Sequence, residues 1–289
     1  MTVIASGSST LTPEGYQRTP TRPMEELRRE AGRWWAGERR LADPPSAEDL
    51  AWLRELTGLR VRWPYNEGRQ EAIALITALA AAGVPLTAEA VPPWAERADP
   101  ALADLLRRWP ERGPDGAEPP RPAPAEGGVK KPGVERSVAD LRREEHSVRL
   151  RRHAWRSHTA DAPVTVVLAS RRPHYVPNAL AQIARQRHVE VQVVLALHGF
   201  GADLVRPAVR DFPFPMTVVE ADASTVFGDV LAQAAARAEA GLIAKWDDDD
   251  WYGPEHLADL LMARLYSGAD VVGTAAEFFY LEPLDVTVR

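Results

Sequence analysis

The chain has 289 residues, a formal net charge of −6 and no cysteine. Acid spread along the sequence argues against a nucleic-acid binder that works through a basic surface, and the lack of thiols excludes disulfides, thiolate metal sites and cysteine nucleophiles. With 45% hydrophobic residues there is material for one large or two modest cores.

The N-terminus, MTVIASGSSTLTPEG, has no basic stretch leading into an apolar core, so it does not read as a signal peptide. No apolar run approaches the roughly 20 residues that span a bilayer. A cytoplasmic protein without a transmembrane segment is the expectation. Residues 1–20, rich in Ser, Thr, Pro and Gly, are expected to be a disordered tail.

Residues 21–109 are expected to form a small, mainly helical domain. Met24 to Leu41 is charged, with Leu27, Trp34 and Leu41 spaced for one inward helical stripe. Ser46, with Glu48 and Asp49 behind it, signals a helix start, and Gly58 a stop. Leu59 to Trp63 alternates with period two, as a short strand does. Glu67 to Ala82 is a helix with Ile73, Ile76, Leu79 and Ala80 on one face and Gly83 at its end. Pro100 to Trp109 is a short helix opened by proline. Six of the nine tryptophans lie before residue 110. They suit a small core or a carbohydrate-stacking face, and their spacing does not choose between the two.

Residues 110–133, rich in Pro and Gly without apolar periodicity, read as a linker. A basic helical stretch follows from Val134 to His158. Its arginines could face phosphates or an anionic membrane surface, which would allow peripheral docking at the inner membrane face. Glu135, Asp140, Glu144 and Glu145 can instead pair with them along a solvated helix. His146, His153 and His158 lie on or near this stretch without a zinc pattern such as HExxH.

From Pro163 strands and helices alternate. Strand-like runs occur at 164–168, 189–197, 216–219 and 242–244, with a fifth opening at 270–273. Helical patterns occupy 176–187, 225–240 and 255–267. The alternation predicts an α/β domain over 134–289 with a mostly parallel sheet, and ligands then bind beyond the carboxyl ends of the strands.

The chemistry follows the fourth of these strands, in Lys245-Trp246-Asp247-Asp248-Asp249-Asp250-Trp251-Tyr252-Gly253-Pro254. Adjacent carboxylates raise one another's pKa unless a cation neutralises them. Hard oxygen ligands suit Mg²⁺ or Mn²⁺. In an extended backbone Asp247 and Asp249 share a face and are the candidate metal ligands. The alternative use of the run is to cap the next helix, with Asp250 or Gly253 near its start and Pro254 in its first turn. Arg171 and Arg172, after the first strand of this half, could meet a diphosphate or be solvated loop residues. No GxxxxGK[ST] loop occurs and no GxGxxG follows a strand, which disfavours kinases, ATPases and nicotinamide enzymes.

The pieces VTVVLAS, RRPHYV, NALAQIARQR, VEVQVVLALHG, TVFGDVLAQAAARAEAG and WDDDDWYGPEHL together resemble the nucleotide-sugar-binding portion of the family 2 glycosyltransferases, of the GT-A fold. The resemblance implies a metal-dependent transfer of a sugar from a nucleotide-diphosphate donor to a hydroxyl acceptor (a glycan, lipid or small molecule), with inversion. It implies that Asp247 and Asp249 are the two acids of an Asp-x-Asp motif holding the donor through Mn²⁺ or Mg²⁺. Ala169, Ser170 and Arg171 match the donor-binding loop after the first strand, and Asp248 joins them within the acid run. Two departures stand out. Leu197 and His198 occupy the end of the second strand, where the family usually has an Asp that reads the base. Ala232 stands where the preceding helix commonly carries an Asn. The family's catalytic base lies well beyond the metal motif. Here Glu277, Glu282 and Asp285 read as an exposed hairpin, the base is unassigned, and the domain looks cut short. The rival readings are a non-catalytic nucleotide-sugar-binding or interaction protein, and a nucleotidyltransferase. The latter usually needs a glycine-rich basic loop that ASRRPHYV does not provide.

Overall fold

The structure, a computed structural model, describes residues 20–65, 68–108, 138–159, 162–274 and 278–288. Nearly all of the expected tail and the whole expected linker lie outside these residues. The chain divides into two units, Met1–Trp155 and Arg156–Arg289.

The first unit adds a mixed sheet to the helices that the sequence leads one to expect. Strands β1 (Glu25–Glu30), β2 (Arg33–Ala36), β3 (Arg39–Arg40), β4 (Leu59–Val61) and β5 (Leu86–Thr87) lie in the order β3-β2-β1-β4-β5. The stretch from Met24 to Leu41, expected as a helix, is an antiparallel meander. Its two reversals explain the difference. Ala31 and Gly32 have φ of 47° and 74°, and Gly37 has φ of 58°, left-handed conformations that suit tight hairpin turns and cannot continue a helix. Leu27, Trp34 and Leu41 are buried as expected, but across a sheet.

β1, β4 and β5 are parallel. Helices α1 (Ala47–Leu53) and α2 (Arg69–Ala81) supply the crossovers, and α3 (Pro93–Ala98) and α4 (Pro100–Arg107) follow. The start of α1 is a capping box. Ser46 Oγ accepts from Asp49 N at 3.1 Å, while Asp49 Oδ2 accepts from Ser46 N at 3.0 Å.

Helix α5 (Val138–Thr159) belongs through most of its length to this first unit, not to the domain that follows it. Its buried stripe is polar for a reason. Arg143 donates to the carbonyls of Leu56 and Thr57, each at 2.7 Å. Ser147 donates to Gly83 O, His146 Nε2 meets Leu86 O at 2.6 Å, and Trp155 Nε1 donates to Ala81 O at 3.1 Å. Ala81 ends α2, where no intrahelical donor is left, Gly83 lies just past it, Leu56 and Thr57 lie in the turn after α1, and Leu86 is on β5. A stretch that reads as a solvated basic helix is thus partly a strap over orphan carbonyls. On its outer side Glu145 pairs with Arg149, as the spacing predicts.

The second unit carries a four-stranded sheet: β6 (Val164–Ser170), β7 (Val191–His198), β8 (Met216–Ala221) and β9 (Leu242–Trp246), in the order β8-β7-β6-β9. Every pair is parallel. β6 is central and buried along its whole length, as its unbroken β-branched run requires. Helix α6 (Val176–Ala184) packs Val176, Ala179, Leu180 and Ile183 against Val166, Leu168, Val193 and Leu195. After a short α7 (Arg206–Arg210), helix α8 (Phe227–Ala235) sets Val230 and Ala234 against Val167, Ala169, Val194 and Ala196 on the opposite face. Helix α9 (His256–Ser267) follows the acid run.

The expected fifth strand at 270–273 is not one. These residues are irregular and largely exposed. Among the described residues the last elements, β10 (Phe279–Leu281) and β11 (Val286–Val288), pair only with each other. The architecture is therefore α/β, with one mixed and one parallel sheet flanked by helices. Among the described residues no helix is long and apolar enough to cross a membrane.

His146 gives the strap a pH dependence. Burial pushes its pKa below the ordinary histidine value, so the folded state favours the neutral ring. The associated stability is present above about pH 6.5 and is lost as pH falls below it, because the unfolded chain takes up the proton more readily. Protection factors for amide exchange along α5, corrected for the intrinsic pH dependence of exchange, should fall between pH 7 and pH 5, and a His146→Gln variant should flatten that change.

Candidate functional site

A parallel sheet ordered β8-β7-β6-β9 reverses its winding at β6. The chain steps outward through β7 and β8, then returns to the other side of β6 as β9. Beyond the carboxyl ends of β6 and β9, at this reversal, lies the crevice position of open α/β sheets, and the loops from both strands lead to helices that share one core, α6 and the start of α9. Ser170, Arg171 and Arg172 follow β6, and Asp247 to Asp250 follow β9.

Asp248 is the inner member of the run, only 5% exposed. Its Oδ2 accepts from Ser170 Oγ, and Arg172 grips both of its oxygens. The same guanidinium reaches Asp249 Oδ2 at 2.9 Å. Burial alone would raise the Asp248 pKa, but the bonds from Arg172 and Ser170 outweigh it and hold the carboxyl below its ordinary range. These two acids raise the pKa of Arg172 in turn.

Asp247 and Asp250 are held differently. Lys245 Nζ lies 2.5 and 2.6 Å from the two oxygens of Asp247. The Tyr252 hydroxyl accepts from Asp247 N at 3.1 Å and donates to Asp250 Oδ2 at 3.4 Å. Burial first, and the two nearby carboxylates after it, push the Tyr252 pKa up to about 12, so at neutral pH it is a hydrogen-bond donor.

Asp247 and Asp249 are each paired with a different cation, Lys245 and Arg172. β9 ends at Trp246, and residues 248–250 lie in bends, so the two-residue alternation of a strand stops before the second acid. Neutralisation also comes from within the chain, through Lys245 and Arg172. Among the described residues no group of three His, Asp or Glu side chains converges as a metal cage.

Two glutamines not singled out in the sequence hold the loop. Gln182 accepts from Tyr252 N at 2.7 Å and donates to Asp250 O at 3.1 Å. Gln186 donates to Gly253 O at 2.8 Å and accepts from Leu257 N at 3.0 Å, in the first turn of α9. Both are buried, Gln182 on α6 and Gln186 just past its end. Their signal was in NALAQIARQ, where two amides four residues apart lie on an apolar helical stripe. Beneath the loop Trp246, 1% exposed, stacks at 4.0 Å on Tyr252 and meets His256 edge-on at 5.7 Å.

The other expected donor-loop residues divide. Ala169 is buried in the core under α8. Ser170 is 1% exposed and spends its hydroxyl on Asp248, so it positions an acid instead of lining open space. Arg171 is exposed and donates to Ala223 O at 2.7 Å. His198, at the end of β7, is buried against Phe227 with neither ring nitrogen bonded. Glu282 and Asp285 lie on the exposed hairpin that the sequence suggests, with Asp285 accepting from Tyr280. Glu277 lies outside the described residues.

Beside the acids runs a cleft of about 1100 Å³, whose wall includes Asp247, Asp250, Trp251, Tyr252, His256 and Arg264. Trp251 is 79% exposed there. No protein-family model matches the chain, and no curated protein matches it in sequence.

Arg172→Ala removes the cation from a buried carboxylate and should destabilise the second unit by about 2–4 kcal/mol. Burial would then dominate at Asp248 and raise its pKa, so the variant should recover part of the loss as pH falls from 7 to 5. Adding Asp248→Asn should recover it at pH 7. Thermal melts of the two variants across that range check both expectations.

Proposed function

We propose that the second unit is a GT-A-like glycosyltransferase domain that binds a nucleotide-diphosphate sugar and passes the sugar to a hydroxyl acceptor. The observation that carries this reading is the division of labour in the acid run. Asp248 is drawn inward to join the ends of β6 and β9, while Asp247, Asp249 and Asp250 remain at the surface of the crevice. Capping a helix needs one acid; four of them at the switch point of a parallel sheet suit a ligand with its own charge. The likeness of WDDDDWYGPEHL to the Asp-x-Asp segment of family 2 enzymes supports the same reading.

A divalent cation fits this acid set. Mg²⁺ and Mn²⁺ shared with a diphosphate need only one or two protein carboxylates. Asp247 and Asp249 are about half-exposed, with side-chain exposures of 43% and 48%, and each is held by a surface-type ion pair that is cheap to exchange. They would hold the ion, which supplies charge neutralisation to the leaving diphosphate. Arg172 offers fork-shaped donors beside it. The Tyr252 hydroxyl and the two glutamines keep the acid loop in place, so little reorganisation is needed as charge develops. Trp251 presents an exposed ring to a sugar or another apolar face of the acceptor. The transfer is proposed as a single inverting displacement, without an assigned base.

Two observations favour a second reading, a nucleotide-sugar-binding protein without transfer. Lys245 and Arg172 already compensate the acids, and His198 stands in place of the acid usual at the end of the second strand.

Calorimetric titration of nucleoside diphosphates with and without Mn²⁺ tests donor binding. Metal-dependent binding is expected, weakened more than about tenfold by Asp249→Ala. Absence of binding to any of them by the folded protein would remove both readings. Binding with no release of nucleoside diphosphate from sugar donors, across a panel of hydroxyl acceptors, would leave the second.

A further inference from the structure

The first unit has its own cleft, of about 790 Å³, at the carboxyl ends of the parallel strands β4 and β5. Two short runs form it: Trp63-Pro64-Tyr65 after β4, and Pro92-Pro93-Trp94 at the start of α3. The volume falls within the range of small-molecule sites. Trp63 and Trp94 meet edge to face at 5.4 Å and make a rigid wall. Arg69 lies over Trp94, 5.4 Å from its ring, and reaches back to Tyr65 O at 3.4 Å. Tyr65 itself is 90% exposed. An aromatic ring left in water beside a concave, aromatic-walled space is a surface with something still to cover.

The rim is equally specific. Glu26 pairs with Arg62 at 3.5 Å, and Arg60 with Glu89 at 3.3 Å. All four side chains are at least 42% exposed. Pairs this open contribute little to stability. They do hold two carboxylates and two guanidinium forks around one opening.

We propose that this cleft is a carbohydrate-binding site that takes a glycan chain. A pyranose ring offers a C–H face, which an exposed aromatic ring covers, and an edge of vicinal hydroxyls. Each hydroxyl both donates and accepts, and mixed carboxylate and guanidinium pairs satisfy both roles. An anionic ligand would meet Glu26 and Glu89 as well as the arginines. A proline-rich peptide offers mainly carbonyl acceptors, which the arginines could meet but which leave Glu26 and Glu89 without donors. Tyr65 supplies the platform, Trp63 and Trp94 the wall, and the two ion pairs the hydroxyl contacts. Identifying the glycan with the acceptor of the transfer rests on the proposed function; the binding itself does not.

The full chain, applied to an array of immobilised polysaccharides and oligosaccharides, should retain at least one class, and that glycan in solution should quench tryptophan fluorescence. Tyr65→Ala and Glu89→Gln, both at exposed positions, should each weaken binding by about tenfold or more without changing the melting temperature. Their binding of nucleoside diphosphates should stay unchanged, which separates this site from the acid crevice. Retention of no glycan, or retention indifferent to both substitutions, would overturn the proposal. So would binding of a synthetic PPRPAP peptide in the cleft to the exclusion of glycans.

Discussion

A carboxylate buried at the end of a parallel sheet must find a cation and a hydrogen-bond donor, or it will not stay ionised. Asp248 finds both on the strand next to its own, in Arg172 and Ser170. That contact joins the end of β6 to the end of β9, the neighbouring strands between which the winding of the sheet reverses. The crevice at this point is therefore closed at its floor by charge and left open at its lip. The order of the acids follows from this. One of them is structural, and that frees its neighbours to face outward.

The rest of the loop is fixed by backbone hydrogen bonds. A segment that leaves β9 and enters α9 within ten residues has several amides and carbonyls without partners of its own. Gln182 on α6 and Gln186 just past its end are long enough to reach across and satisfy four of them, which a leucine at either place could not do. The aromatic group of Trp246, Tyr252 and His256 fills the space below. Position and charge are thus separately determined: α6 sets where the acids are, and Arg172 and Lys245 set how much negative charge they present.

Legibility in the sequence tracked how local each determinant is. The four parallel strands of the second unit and helices α2, α4, α6 and α9 were visible because unbroken apolar runs and 3.6-residue stripes are local patterns. The acid run was visible for the same reason. The meander over Glu25–Arg40 was not, because Leu27, Trp34 and Leu41 fit a helical stripe equally well. Only the left-handed turns at Ala31-Gly32 and Gly37 decide the matter. Helix α5 was legible as a helix but not as a strap, since the carbonyls it serves lie some 60 to 87 positions earlier. Within the crevice the acids could be named, but not which of them would turn inward. That depended on where the chain leaves the extended conformation, and on an arginine whose partner is 76 residues away.

Both units place their most chemically loaded surface at the carboxyl ends of parallel strands, and topology accounts for this. A strand that must be followed by a crossover ends in a loop whose backbone amides and side chains project past the sheet, free of ladder pairing. In the second unit that freedom is filled with carboxylates and countered by Arg172 and Lys245. In the first unit the crossover from β4 through α2 to β5 is short, and the loops at its ends carry tryptophan, tyrosine and proline. Proline restricts these loops and so fixes the rings beside it at low entropic cost. An acid loop needs buried partners to hold its shape, as Gln182 and Gln186 show. A proline-flanked aromatic loop needs fewer, which is consistent with rim contacts that are exposed ion pairs and with a Tyr65 ring that stands almost wholly in solvent.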